Sequence, residues 1–130
     1  MIAYKVVRRN KATGKLQSAV INLPGWTITY PPQKWVYPRI GLILAFSSCR
    51  RADTFKEAET FGNDKQLEIW SCEVSQPRQL DTLVAIPPHG CRYISKNFER
   101  FWASGKTRML IAAPSYTIGA RAIKLLEKIS

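Results

Sequence analysis

IGLILAFSSCRRADTF, residues 40 to 55, changes character at its middle. IGLILAF, residues 40 to 46, is a short β-prone apolar run bounded by turn signals, which suits a strand covered on both faces. After Ser47 and Ser48 the period changes. Ala52, Phe55, Ala58 or Glu59, and Phe61 fall at helical spacing, and Gly62 stands where a helix C-terminus is closed by a left-handed residue. The stretch therefore predicts a strand that passes directly into a helix from about Cys49 to Phe61. A serine hydroxyl at the junction satisfies the orphan N–H groups of the first helical turn, so Ser47 and Ser48 need no catalytic explanation. Cys49 would lie in that turn beside Arg50 and Arg51, without a second catalytic group in view.

Strand signals extend to both sides of this unit. IAYKVVRR (2 to 9) and LQSAVINL (16 to 23) alternate apolar positions, and NKATGK between them carries Asn10 and Gly14 as turn formers, which predicts a hairpin with a basic tip. PGWTITYPPQKWVYP (24 to 38) contains four prolines. Their fixed φ and missing N–H exclude a long helix or a central strand, so an aromatic surface loop is expected, with a short edge strand at Thr27 to Tyr30. QLEIWSCEV (66 to 74), LDTLVAI (80 to 86) and TRMLIAA (107 to 113) read as further strands, and SKNFERFWASG as a short helix capped by Ser95. In the tail, Ala120, Ile123, Leu126 and Ile129 have helical spacing, and local propensity favours a helix, although IGARAIKLLEKI also fits a closing strand. The expected class is α+β: a mainly antiparallel, split sheet with one or two packed helices, forming one domain over residues 1 to 130.

Charge is the strongest compositional signal. The chain carries 20 Lys and Arg against 9 Asp and Glu, a formal net charge of +11. Residues 1 to 56 hold ten of the basic side chains and the single acid Asp53; residues 57 to 130 hold ten basic and eight acidic side chains. A field of that sign attracts polyanions. Arg8, Arg9, Lys11, Lys15, Arg50 and Arg51 are candidate phosphate contacts, and Trp26, Tyr30, Trp35 and Tyr37, interleaved with Lys34 and Arg39, are candidate stacking platforms for bases. The same aromatics also suit a lid over the sheet edge.

Other functional signatures are sparse. His89 lies in a Pro-Pro-His-Gly loop without partners at ligand spacing, and the chain has no GxxxxGK[ST], no GxGxxG and no HExxH. Cys49, Cys72 and Cys91 fit neither a closed disulfide framework nor a CxxC knuckle, so reduced thiols are expected. Glu68 and Glu73, five apart on a strand, point to opposite faces. No window is long and apolar enough for a membrane span, and MIAYKVVRRN lacks the apolar segment of a secretory signal. The expectation is an intracellular, non-enzymatic binding protein without cofactor or metal, whose N-terminal half docks on nucleic acid or on an acidic partner protein.

The opening AYKVVRR strand, the GLILAFSSCRRADTF unit and the LEIWSCEV strand together resemble small phage and bacterial accessory domains with a reduced ADP-ribosyltransferase-like fold. The resemblance implies a split antiparallel sheet and a closing strand in the tail. In the enzymes of that group a basic or aromatic first-strand residue, a strand serine and a late glutamate bind and activate NAD. Tyr4 or Arg8 matches the first position and Ser47 or Ser48 the second. Glu127 is the only acid in the tail and is not well placed for the third, so an NAD-dependent transferase is the alternative activity that the resemblance implies.

Overall fold

A computed structural model describes residues 1–19, 27–39, 41–60, 66–80, 82–84, 110–113 and 115–130. Strand β1 (Ile2–Arg9) organises it. One edge of β1 pairs along its length with β5 (Leu67–Ser75), antiparallel, from Ile2↔Glu73 to Arg8↔Leu67. Its other edge is shared: β4 (Ile43–Phe46) pairs at Tyr4↔Phe46, whereas β2 (Leu16–Ser18) pairs from Val7↔Ser18 to Arg9↔Leu16. The β1–β2 turn is made as its residues predict: Asn10 Oδ1 accepts the N–H groups of Ala12 (2.9 Å) and Thr13 (3.2 Å), and Gly14 adopts φ 72°.

The remaining strands close the sheet on itself. β3 (Trp35–Val36), β10 (Ala122–Lys128), β5, β1, β4, β9 (Thr117–Ala120) and β6 (Arg78–Gln79) lie in that order, and β2 completes an eight-stranded sheet. Only Arg121 separates β9 from β10, and only Gln76 and Pro77 separate β5 from β6, so both edges of the β4–β1 pair lead into the same two long strands. A second, two-stranded ladder joins β7 (Thr82–Val84) to β8 (Leu110–Ala112). Inside the curl lie Ala3, Val7, Leu16, Tyr30, Ile43, Ala45, Cys72, Val74, Ile118, Ala120, Ile123 and Leu125. On the opposite face Val6, Phe46, Leu67 and Ile69 pack against Ala52 and Phe55 of helix α1 (Cys49–Thr60).

The junction between β4 and α1 follows the sequence. The Arg51 N–H donates to Ser48 Oγ (3.4 Å) and the Ala52 N–H to Ser48 O (3.1 Å), so Ser48 is the N-cap; Ser47 instead donates its N–H to Tyr116 O (3.0 Å). Ser48→Ala is expected to lower stability by about 1 kcal/mol in urea denaturation. An unchanged midpoint would show that the long Oγ contact contributes nothing.

The tail is a strand, and the helix favoured by local propensity is corrected. β10 is held by β5 on one side and β3 on the other, with a bulge between Leu125 and Glu127. The inward residues are Ile118 and Ala120 in β9 but Ile123 and Leu125 in β10, so the strand changes which parity faces the core at Arg121–Ala122. In the partner strand, Gln76, between β5 and β6, has a φ of 48°. A strand that changes faces puts inward residues three apart, and Ala120 to Ile123 thereby imitates helical spacing. Ile129, which completes the helical set, is 48% exposed.

Thr27 to Tyr30 forms a single bridge, Gln17↔Thr29, rather than a full edge strand, supported by Tyr30 N–H to Leu16 O (2.8 Å). Trp26, Gly62, His89, Cys91 and the helix expected after Ser95 lie outside the described residues. Among the described residues, no helix is long and apolar enough to cross a membrane.

Candidate functional site

The basic residues singled out in the sequence are distributed over several places. Lys11 and Lys15 are exposed on the β1–β2 turn. Arg8 donates to Gln17 Oε1 (3.2 Å), beside that turn. Arg9 is committed to structure: its Nε and Nη2 donate to the two carboxylate oxygens of Glu68 (2.7 and 3.0 Å), and its Nη1 donates to Gly14 O (2.7 Å). The hydrogen bonds from Arg9 and the Trp70 indole hold the Glu68 carboxyl below its ordinary pKa, although burial acts the other way. Arg50 and Arg51 are exposed at the start of α1, with Arg51 over the Tyr116 ring (5.5 Å to the centroid).

Tyr30 is not on the surface. It is 1% exposed, its ring belongs to the interior cluster, and burial pushes its phenol pKa upward, so no base reaches it without opening the fold. Beside it lies Lys5, where the sheet splits. β4 and β1 pair only at Tyr4↔Phe46 and then separate, and the Lys5 ammonium donates to the Leu44 carbonyl (2.6 Å) in the gap. Burial lowers the Lys5 pKa to about 8.

Of the residues matched to the transferase pattern, Tyr4 and Glu127 share one cross-strand row, each opposite Ser71. Ser71 is engaged with the Glu127 backbone, accepting its N–H (3.2 Å) and donating to its carbonyl (3.3 Å). Ser47 and Ser48 are occupied by the turn and the cap described above. Among the described residues, no group of three or more His, Cys, Asp and Glu is placed to hold a metal ion.

An open concave feature lined by three arginines lies at the Arg121 link between β9 and β10. Tyr37, Pro38, Arg39, Gly41, Leu42, Arg78 and Arg121 line an open groove of about 450 Å³. Each arginine arrives by a different route. Arg39 follows β3 and precedes Gly41, whose φ of 68° turns the chain into β4. Arg78 is on β6, opposite Gly119, and Arg121 is the link between β9 and β10, so the two are diagonal neighbours roughly 7–8 Å apart at Cα. Gly119, between them in register, has no room for a side chain: a Cβ there would lie 2.7 Å from Leu42 Cδ1 and 2.9 Å from Leu80 Cδ1. All three arginines are exposed, and the described lining contains no carboxylate. Like charges at diagonal positions repel unless a counter-charge intervenes.

Tyr37, on the groove wall, directly follows β3. Trp35 and Tyr37 are 40% and 70% exposed, while Val36 between them packs against the core. Lys124, opposite Trp35 in register, places Nζ 5.1 Å from the Trp35 ring centroid and 3.4 Å from Glu73 Oε2. Lys34 is exposed next to them. Thus the groove joins Arg39, at the end of the Pro-rich segment, with Arg78 and Arg121 from the half that is nearly neutral in sequence, while Trp35 lies on β3 opposite Lys124. Sequence reasoning missed Arg78 and Arg121, because each stands among unremarkable neighbours and only the paired long strands set them side by side. No protein-family model, curated protein or solved structure matches the chain.

Proposed function

We propose that this protein binds nucleic acid, with backbone phosphates seated in the groove lined by Arg39, Arg78 and Arg121. The observation that supports this reading is the convergence of three arginines from separate segments of the chain on one open groove without a carboxylate in its described lining. Guanidinium groups bind phosphate oxygens through paired N–H donors, and a phosphate chain presents its oxygens to Arg78 and Arg121 together. The exposed basic residues of the β1–β2 turn and the start of α1 add long-range attraction from outside the groove.

Fluorescence anisotropy of a labelled oligonucleotide across a salt series tests the proposal. Affinity is expected to fall steeply with salt, and the Arg78→Glu/Arg121→Glu double variant is expected to flatten the log–log slope by roughly 1.4 to 1.8, two phosphate contacts' worth. Lys11→Glu/Lys15→Glu is expected to change it much less. Equal losses from both pairs, or no binding at low salt, would overturn the reading.

A further inference from the structure

We infer that the nucleic acid taken by this groove is single-stranded, with an unpaired base stacked on the Trp35–Tyr37 edge while its phosphates occupy the arginine groove. This rests on the preceding reading and adds the form of the ligand.

Three features support the inference. Trp35 and Tyr37 are both exposed and lie two residues apart, Trp35 in β3 and Tyr37 just after it, while Val36 packs against the core and anchors the segment. Large exposed aromatics are ordinary when scattered singly; two on one outward edge beside a cationic groove form a platform. Two residues apart in sequence, the two side chains lie within reach of a single nucleotide, with Lys124 Nζ 5.1 Å from the Trp35 ring centroid beside them. Further, β3 is a two-residue strand that, among the described residues, pairs with β10 alone, and it runs on to Arg39 through Tyr37 and Pro38. A base and its own phosphate therefore reach the aromatic edge and the arginines together.

A duplex cannot use both parts. Its bases are stacked on one another and paired, and presenting one to Tyr37 requires unstacking and unpairing. Its phosphates reach the arginines, but the aromatics remain idle. A chain of phosphates without bases is in the same position. Single strands have free π faces, and base–aromatic stacking is tolerant of sequence.

The test uses the full chain and three probes: a labelled oligothymidine, a hairpin duplex with the same number of phosphates, and inorganic polyphosphate. Oligothymidine is expected to bind about tenfold or more tightly than either of the others. Trp35→Ala and Tyr37→Leu should each weaken oligothymidine binding by roughly five- to a hundredfold while leaving polyphosphate binding unchanged. Tyr37→Leu preserves bulk at a 70% exposed position, so its result does not depend on a folding defect. Equal binding of the three probes, or aromatic variants that leave oligothymidine binding unaltered, would overturn the inference. Loss of all binding on Arg78→Glu/Arg121→Glu would then leave the phosphate groove standing, whereas a protein that binds none of the probes refutes both readings.

Discussion

Arg9→Ala is expected to cost about 2 to 3 kcal/mol of folding stability at neutral pH, below the roughly 3–5 kcal/mol of a fully buried pair because the Arg9 side chain is 37% exposed. The Glu68 side chain is 10% exposed and receives two N–H donors from Arg9 and one from the Trp70 indole (3.0 Å). Removing Arg9 leaves that carboxylate with the indole and with Lys128 at 4.0 Å, and also takes the Nη1 donor from Gly14 O in the β1–β2 turn. Arg9→Lys should recover only part of the loss, since one ammonium cannot reproduce the parallel pair and the turn contact together.

The sign with pH follows from Glu68. Its carboxyl pKa is lowered in the folded state, chiefly by the Arg9 hydrogen bonds, so its contribution is present above the ordinary carboxylate pKa and is lost as pH falls through the folded value. Urea midpoints of wild type and Arg9→Ala should accordingly converge in acid. A gap that stays constant with pH would show that Arg9 acts through packing alone. Reversing Arg9 to Glu would set two carboxylates against each other, so any loss of nucleic-acid affinity would be confounded by misfolding. For that reason Arg78 and Arg121, exposed and without a structural ion pair among the described residues, are the informative positions for charge reversal.

Stability is expected to rise from neutral pH to a maximum near pH 9 and to fall beyond it, a profile set by two interior groups with opposite signs. Burial lowers Lys5 from 10.5 to about 8, so between these values the unfolded chain binds the proton that the folded chain has released, and stability increases with pH. Burial pushes the Cys72 thiol from 9.0 up to about 12; above 9 the unfolded chain ionises first, and stability decreases. Between pH 8 and 9 Lys5 adds about 1 kcal/mol, partly offset near pH 9 as the unfolded Cys72 thiol begins to ionise. The raised phenol of Tyr30 deepens the decline above its ordinary value of 10.0. Lys5→Met should abolish the rise. At neutral pH it removes an ammonium from the interior but leaves Leu44 O without its donor, so its net effect there is smaller than the whole pKa shift, which corresponds to about 3 kcal/mol. Chemical denaturation of both proteins from pH 7 to 10 checks this. A flat wild-type curve, or a rise that persists in Lys5→Met, would refute the assignment.

Local sequence determined the elements whose signals are complete within a few residues. Asn10 and Gly14 specify the β1–β2 turn, because a side-chain carbonyl and a left-handed glycine act on their immediate neighbours. Ser48 and the change of period after it specify the strand-to-helix junction, because capping joins groups three residues apart. The alternation of Leu67, Ile69 and Ser71 against Glu68, Trp70, Cys72 and Val74 specifies a strand, and the structure puts α1 on one face and the interior cluster on the other.

The tertiary structure decided what depends on partners distant in sequence. The tail became a strand because β5 and β3 supply hydrogen-bonding edges on both sides, outweighing local helix propensity, and its change of facing residues at Arg121 hid the strand period. Tyr30 became core rather than surface because its backbone joins β2 while its ring enters the curl. Charge shows the same division. The sequence establishes how many cations the chain carries and in which half they lie, but a fold of paired strands sorts them by register. Arg9 was drawn into an ion pair, and Arg39, Arg78 and Arg121 met in a groove because strands far apart in sequence cross at one place.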